Sequence, residues 1–313
     1  MTGDSETGDR GTGAAGKVEL VVARAAQELQ RRLQDPLPAG LYLVSTPIGN
    51  VGDMTLRALA VLAKADHVYC EDTRHSRPLL SHFGIDRALK PYHEHNARKE
   101  RGPLLKLIAD GKSVALISDA GTPLVSDPGY KLVLEAVEQG LLVQALPGAS
   151  AVLCAIAVAG LPTDQFHFAG FLPVKQGQRR ERIRLLGDQV ATVVLFEAPN
   201  RLAALLDDIQ AVLGDHRQVV VARELTKRFE EVKRGSAADV RAWAEGATVR
   251  GEVVVLIGPA PPAEVHDDDI LSELEALGTD QGLKEASRQV AGKLGVSRSR
   301  VYDIGLQLKA RRS

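Results

Sequence analysis

The chemistry-bearing residues of this chain gather in short polar turns that follow apolar runs. In the first half they read Thr46-Pro47-Ile48-Gly49-Asn50, Glu71-Asp72-Thr73-Arg74, Ser118-Asp119-Ala120-Gly121-Thr122-Pro123 and Pro147-Gly148-Ala149-Ser150. Glycine lets backbone approach a ligand closely, and proline fixes the shape of a loop. In open parallel sheets the carboxyl ends of the strands border the ligand crevice. One such turn is as well explained by punctuation, but four in register imply a binding site. The second half repeats the device with Gly170-Phe171-Leu172-Pro173, Phe196-Glu197-Ala198-Pro199-Asn200-Arg201 and Ala222-Arg223-Glu224-Leu225-Thr226-Lys227. A cleft between two α/β domains is a natural seat for a cofactor facing a macromolecular substrate.

Other motifs carry less. Gly111-Lys112-Ser113 has the ending of a phosphate-binding loop, yet Leu107 stands where such a loop needs glycine, and the segment precedes a strand instead of following one. Gly49-Asn50-Val51-Gly52 lacks the spacing that seats a dinucleotide pyrophosphate, which disfavours a nicotinamide dehydrogenase. Pro91-Tyr92-His93-Glu94-His95-Asn96 is the densest titratable cluster. If extended it puts His93 and His95 on one face, but no third ligand at a familiar spacing supports a metal. Hydrogen bonding to a polar substrate, or plain loop structure, is the better reading.

The elements that must position these turns follow from periodicity. Apolar runs at Leu41–Ser45, His67–Cys70, Val114–Ser118 and Leu141–Ala145 alternate with helical patterns at Thr55–Lys64, Arg101–Ala109 and Tyr130–Gln139, which implies βα units and a largely parallel sheet. Asp53 is placed to cap the first of these helices, and Gly140 to end the third. A helix of small residues, Ala151–Ala159, stops at Gly160-Leu161-Pro162. A second α/β set has strands near Phe166–Phe171, Thr192–Phe196, Val219–Ala222 and Glu252–Ile257, and helices near Arg179–Leu186, Leu202–Leu213 and Ala237–Ala244. Four segments result: an extension (1–38), a first α/β domain (39–160), a second (161–262) and a helical end (263–313). Within the extension the first sixteen residues read as a disordered tail without the basic start and apolar stretch of a signal peptide, and residues 17–34 as a helix.

The 313 residues suffice for about two domains. Lys and Arg total 39 against 40 Asp and Glu, so a polyanion would have to be met by a local patch, not a global field. Cys70 and Cys154 give no metal spacing and no disulfide framework, which fits a reducing cytoplasm and buried packing. No run of 18 apolar residues is present, so no membrane span is expected. Leu283–Tyr302 has a helix-turn-helix pattern with Ser297 as a cap, and from Leu271 onward eight Lys and Arg stand against five Asp and Glu. That excess suits a nucleic-acid contact, while packing or dimerisation explains the pattern equally well.

Val44-Ser45-Thr46-Pro47-Ile48-Gly49-Asn50, Cys70-Glu71-Asp72-Thr73-Arg74, Tyr92-His93-Glu94-His95-Asn96, Ile117-Ser118-Asp119-Ala120-Gly121-Thr122-Pro123 and Phe196-Glu197-Ala198-Pro199-Asn200-Arg201 together resemble the bacterial ribosomal RNA small subunit methyltransferase I family, from about Leu41 to the C-terminus. That family is a branch of the tetrapyrrole methylase superfamily. The resemblance implies two α/β domains holding S-adenosylmethionine in the cleft between them, 2′-O-methylation of a cytidine in the decoding centre of 16S rRNA, and a homodimer acting on RNA or the small subunit. Tetrapyrrole-directed relatives carry a Gly-Asp-Pro turn where this chain has Ser118-Asp119-Ala120-Gly121, which favours the RNA branch. The extension before Leu41 departs from the family.

By that resemblance, Pro47, Gly49, Ser118, Asp119, Ala120, Gly121, Ser126, Pro147, Gly148, Ala149 and Ser150 are expected around the cofactor. S-adenosylmethionine carries its own leaving group, so the protein needs no metal and no nucleophile. A ribose hydroxyl is a poor nucleophile at neutral pH and benefits from a positioned base, for which Glu71, Asp72, His93, His95 and Glu197 are candidates. The plain alternative for each acid is a salt bridge with a nearby Arg. Arg74, Arg201, Arg223 and Lys227 are candidates for gripping phosphates. Two other functions compete: methylation of a tetrapyrrole or other small acceptor on the same fold, and a non-enzymatic DNA-binding regulator built on Leu283–Tyr302.

Overall fold

A computed structural model describes residues 12–246, 249–261, 265–277 and 282–312. Residues 12–260 belong to one compact unit built on two five-stranded sheets, and the chain from Pro261 onward forms a second, helical unit.

The first sheet has the order β3-β2-β4-β1-β5, from β1 (Gly40–Val44), β2 (His67–Cys70), β3 (Leu89–Pro91), β4 (Ser113–Ile117) and β5 (Val143–Leu146). Every pairing is parallel, with Val44 opposite Ile117 on one side and Leu146 on the other. Inner strands β1 and β4 are buried along their whole length, as their unbroken apolar runs require of strands covered on both faces. Around this sheet run α2 (Leu56–Lys64), α3 (Thr73–His82), α4 (Ala97–Ala109) and α5 (Tyr130–Glu138); α1 (Thr12–Gln34) packs on α2, and α6 (Ala151–Ala159) follows β5. Each β-to-α turn therefore emerges at the same edge of the sheet.

Several local expectations change. Thr55, not Asp53, caps α2, its side chain accepting from the Ala58 N–H at 3.1 Å, while Asp53 lies in a short 3-10 turn. Half of the expected Glu71–Arg74 turn is the start of α3, with Asp72 as its cap. The helix before β4 starts at Ala97 instead of Arg101. Residues 1–11 of the expected N-terminal tail lie outside the described residues, and residues 12–16 open α1, where Ala14 and Ala15 are good helix formers.

The second sheet is where the parallel expectation fails. It has the order β6-β7-β10-β8-β9, from β6 (Phe166–Phe171), β7 (Thr192–Glu197), β8 (Gln218–Arg223), β9 (Glu231–Ser236) and β10 (Val253–Ile257). Only β6 and β7 pair in parallel; the other three pairings are antiparallel. The cause is β9, an unanticipated strand that returns directly from β8 and puts Arg223 opposite Glu231. On one face Val193, Leu195, Val219, Val221, Val253 and Val255 pack with α7 (Gln176–Gly187), α8 (Leu202–Leu213) and α9 (Ala237–Gly246). The alternate residues Val194, Val220, Val254 and Leu256 pack with Val152, Ala155, Ile156 and Ala159 of α6. The small side chains of α6 thus let it lie close against the second sheet and join the two halves. Ser150 caps α6, and Gly160 ends it in a left-handed conformation (φ 72°).

The helical unit contains α10 (Asp267–Ala276), α11 (Leu283–Leu294) and α12 (Arg298–Arg312), packed around Ile270, Val290, Val301 and Ile304. Among the described residues no helix is long and apolar enough to cross a membrane.

Candidate active site

Three strand-end loops of the first sheet are tied into one rim. Ser45 Oγ donates to the Leu146 carbonyl and lies 3.1 Å from Thr122 Oγ1. Thr46 and Gly121 exchange backbone hydrogen bonds of 2.9 and 3.0 Å, and Thr46 Oγ1 donates to the Ser118 carbonyl. Thr122 Oγ1 donates to the Ala149 carbonyl. Close approach explains the glycines: a Cβ on Gly148 would stand 2.6 Å from Ser45 Cβ, and Gly121 has a φ of +79°. Beyond Gly121 the loop turns through Leu124 (φ 74°) and Ser126 (φ 67°), two left-handed residues that are not glycine. Such strain gathers where a site over-determines the backbone.

These loops and the facing edge of the second sheet enclose a cavity of about 410 Å3. Ile48, Val125, Val152, Phe171, Phe196 and Val254 provide apolar walls, and Phe171 and Phe196 meet edge to face at 5.7 Å. Its polar lining includes Asp119, Asp127, Glu197 and Glu252, with no Lys or Arg. The Glu197 side chain is fully buried. Its Oε1 accepts from the Ala198 N–H at 2.8 Å, and its Oε2 has no partner. A buried unpaired oxygen is costly and points to a missing donor. Ser150, at the N-terminus of α6, also faces the cavity.

Of the residues expected around the cofactor, Asp119, Ala120, Gly121, Ser126 and Ser150 line this cavity. Ser118 lies in a crevice behind it, with Glu71 and Asp127. Pro47, Gly49, Pro147, Gly148 and Ala149 are not in its lining. Gly49 is packed under the Lys227 stem and Gly148 against Ser45, so they shape the loops from behind. Glu197, expected as a base, lines the first cavity and not the second, where Glu71, Asp72 and His93 gather.

A second, more open cavity of about 380 Å3 is lined by Glu71, Asp72, Thr73, Arg74, Pro91, His93 and Asp119. Asp119 is common to both cavities, and its Oδ1 accepts from the Asp72 N–H at 3.0 Å. Burial, then the Asp119 charge, raises the Glu71 pKa above the usual carboxylate range. Burial and the Glu71 charge push Asp127 up to about 6. Asp72 goes the other way: hydrogen bonds from the Arg74 side chain and N–H lower it to about 2, which makes it a helix cap and a poor proton acceptor. His93 Nδ1 is shielded and unpartnered. His93 and His95 lie in a turn with ring centroids 6.0 Å apart, not along an extended strand.

The basic candidates are more committed than their spacing suggested. Arg201 lies 3.2 Å from Glu197, too poorly aligned for a hydrogen bond there, and donates instead to the Leu172 carbonyl. Arg223 pairs with Glu231 across β8 and β9, and Lys227 with Glu224 and Glu252. Arg74 pairs with Asp72 but leaves 88% of its side chain exposed. Asp127 was missed because no motif contained it; the signal available was its place in Ser126-Asp127-Pro128-Gly129, a turn-rich run after a strand.

A parallel βα sheet joined by a small-residue helix to a mixed sheet, with a cavity between their loops, defines a methylase of the tetrapyrrole type. Residues 40–241 match the family described as Tetrapyrrole (Corrin/Porphyrin) Methylases. A uroporphyrin-III C-methyltransferase from Thermus thermophilus shares the fold, with a TM-score of 0.52 and 22% identity over 70% of this chain and 94% of that one. Identity is higher to a relative from Mesorhizobium japonicum named ribosomal RNA small subunit methyltransferase I, at 48% over 275 residues, 88% of this chain and 94% of the relative. One of the same name from Halalkalibacterium halodurans is 41% identical over 273 residues, 84% of this chain and 93% of the relative. The chain belongs to the ribosomal RNA small subunit methyltransferase I family.

Proposed function

We propose that the protein transfers a methyl group from S-adenosylmethionine to the ribose 2′-oxygen of a cytidine in the decoding centre of 16S rRNA. The observation that carries this reading is the first cavity, walled by the family's strand-end motifs, apolar along its sides and lined by Asp119 and Asp127, neither of which has a Lys or Arg partner there. Its size falls within the range of pockets that hold cofactors, roughly 300–1,000 Å3. When bound, S-adenosylmethionine supplies an electrophilic methyl on a cationic sulfur.

The residues present fit that group. Asp119 and Asp127 favour a cation over a neutral ligand. Phe171 and Phe196 offer ring edges to a heteroaromatic base, and the free N–H groups that open α6 behind Ser150 suit a carboxylate. Glu197 Oε2 awaits an N–H donor. The tied loops of β1, β4 and β5 hold these groups fixed, so the protein's main contribution is orientation. Removing the acceptor's proton falls to a carboxylate of the first sheet, where Glu71 and His93 border the second cavity.

RNA is held by Arg74 at the open rim, with Arg201, Arg223, Lys227 and the helical unit as further contacts. A homodimer is supported by Tyr130, Leu134 and Val137, which expose one apolar stripe of α5 next to edge strand β5. Sedimentation of the purified protein tests that point. The acceptor is tested by mass spectrometry of 16S rRNA nucleosides from cells with and without the gene. Loss of a 2′-O-methylcytidine signal is expected, and an unchanged signal refutes the reading. A fold shared with a small-acceptor enzyme cannot choose the acceptor; the higher identity to relatives named for ribosomal RNA favours RNA.

A further inference from the structure

We infer that Asp127 is the general base that takes the proton of the acceptor's ribose hydroxyl, with the acceptor nucleoside entering through the second cavity and its ribose reaching the wall that the two cavities share. This rests on the 2′-O-methyl transfer proposed above and names the groups that perform it.

The two cavities share a wall. Asp119 belongs to the lining of both. Asp127 lines the first cavity and also the crevice behind it, which Glu71 shares, and Glu71 in turn lines the second. These three carboxylates therefore form the partition across which a methyl must pass. Acidic residues alone do not make a site, but each side of this partition carries an unpartnered polar atom shielded from solvent. On the first side it is Oε2 of the fully buried Glu197; on the second it is Nδ1 of His93. Both await ligand atoms.

The other carboxylates are less suited to the task. Asp72 is committed to Arg74 and to capping α3. Asp119 has one oxygen committed to the Asp72 N–H. Glu71 does not line the first cavity, where the methyl donor binds. Asp127 is carried by a backbone shaped to place it: Leu124 and Ser126 are left-handed, Pro128 follows, and Ser126 Oγ lies 3.6 Å from where a side chain on Gly170 would begin. Gly170, itself left-handed (φ 64°), brings β6 into ordinary contact with that loop.

The charges around Asp127 suit a base. Glu71 and Asp119 act on it from the first sheet, and Glu197 and Glu252, with Arg201 and Lys227 beside them, face the cavity from the second. Arg74, on the outer rim, is the one Lys or Arg among the described residues lining either cavity. Burial and Glu71 raise Asp127 to about 6, against a hydrogen bond with Ser118 that lowers it. The group is ionised at pH 7 yet close to it, the range in which a general base works best. In the step itself the O2′–H bond breaks with its proton passing to Asp127 Oδ, and the oxygen's electron pair forms the O2′–C bond. The S–C bond breaks with its pair returning to sulfur, which becomes a neutral thioether.

The test is single-turnover methylation of small subunits by the full-length protein across pH 5 to 8. With the wild type at saturating cofactor, the rate should fall about tenfold per pH unit on the acid side of an inflection below the ligand-free value of about 6, because the sulfonium favours the ionised carboxylate, and level off above it. Asp127→Asn should slow transfer at saturating cofactor by about a hundred- to ten-thousandfold and lose that limb, a loss far larger than any change in S-adenosylhomocysteine affinity read by calorimetry. Asp127→Glu, which keeps a carboxylate, should retain transfer with a displaced limb and serves if the Asn variant does not fold. Carboxyl 13C NMR of the cofactor-free protein should show one aspartate titrating near pH 6 that is absent from Asp127→Asn. An Asn variant with the wild-type rate and pH profile overturns this assignment alone. Wild-type protein that puts no methyl on small subunits overturns the proposed function with it.

Discussion

The rim of the first cavity depends on Gly121, and replacing it with alanine separates loop shape from general stability. At φ +79° an L side chain is strained by about 1–2 kcal/mol. The added Cβ would also stand 3.3 Å from Ile48 Cγ2 and 3.7 Å from the Ala149 carbonyl oxygen. Ile48 is 6% exposed and clusters with Val152, Ala155 and Val254, so it gives way only toward the cavity it lines, which changes the shape of that wall. Overpacking costs typically about 1–3 kcal/mol, and a contact this mild belongs near the lower end. Gly121→Ala should therefore cost about 2–3 kcal/mol in all. Gly140→Ala is the control: its φ is +67° with nothing within 4 Å, so it should bear only the backbone share. Denaturant unfolding followed by Trp243, the single tryptophan, which packs in the second-sheet core, measures both. Calorimetry should show S-adenosylhomocysteine affinity about tenfold weaker in Gly121→Ala and unchanged in Gly140→Ala, tenfold being about 1.4 kcal/mol. Ile48→Leu, which removes Cγ2 at nearly constant volume, should restore part of the loss in the double variant. Equal unfolding midpoints and equal affinities for the two alanine variants would refute the claim that this loop contact shapes the cavity.

Other perturbations address separate parts of the molecule. Asp208 is fully buried and binds Arg179 and Arg180 at 2.7 and 2.6 Å, so Asp208→Ala strands the buried Arg179 and should cost about 3–5 kcal/mol in urea titration. Burial would raise the Asp208 pKa, but hydrogen bonds from Arg180 and Arg179 outweigh it and leave the carboxyl below its ordinary value. Its stabilisation is thus complete above the unfolded pKa of about 3.9 and is lost as pH falls through the lower folded value, a decline the alanine variant should lack in acid titration. Glu197→Gln keeps an oxygen for the Ala198 N–H and should weaken S-adenosylhomocysteine binding about tenfold or more by calorimetry; unchanged affinity would remove Glu197 from the ligand. Arg74→Ala should raise KM for small subunits and flatten its salt dependence while leaving the melting temperature in place, since 88% of that side chain is exposed.

What was legible in the sequence follows from burial. β1, β4 and β10 are covered on both faces, and their apolar runs are unbroken. The edge strands β3 and β9 read Leu-Lys-Pro and Glu-Val-Lys-Arg-Gly-Ser, half-exposed and polar, so nothing in their composition marks a strand. Missing β9 also hid the antiparallel pairings and the partner of Arg223, because Glu231 becomes its neighbour only when β9 folds back. α3 was obscured by Pro78 and its polar surroundings. At the site, Asp119–Gly121 and Ser150 were visible as strand-end residues. Asp127 was not, since its position arises from two left-handed residues earlier in the loop, and a backbone angle leaves no mark on spacing.

The near-neutral composition conceals a division of charge that the site makes explicit. The first cavity gathers Asp119, Asp127, Glu197 and Glu252; Arg201 and Lys227 stand against the last two, which leaves Asp119 and Asp127 to set its negative character. A carboxylate-lined cavity repels phosphate and attracts a cation. On the proposed chemistry the RNA backbone must then be gripped outside it, by the exposed Arg74 and by contacts farther out, and only the uncharged ribose need reach the partition. The same charges act on the donor: they stabilise a sulfonium and lose that attraction once the methyl has left and sulfur is neutral. An acidic cavity therefore favours the loaded cofactor over the spent one, which a uniformly basic RNA-binding surface would not do.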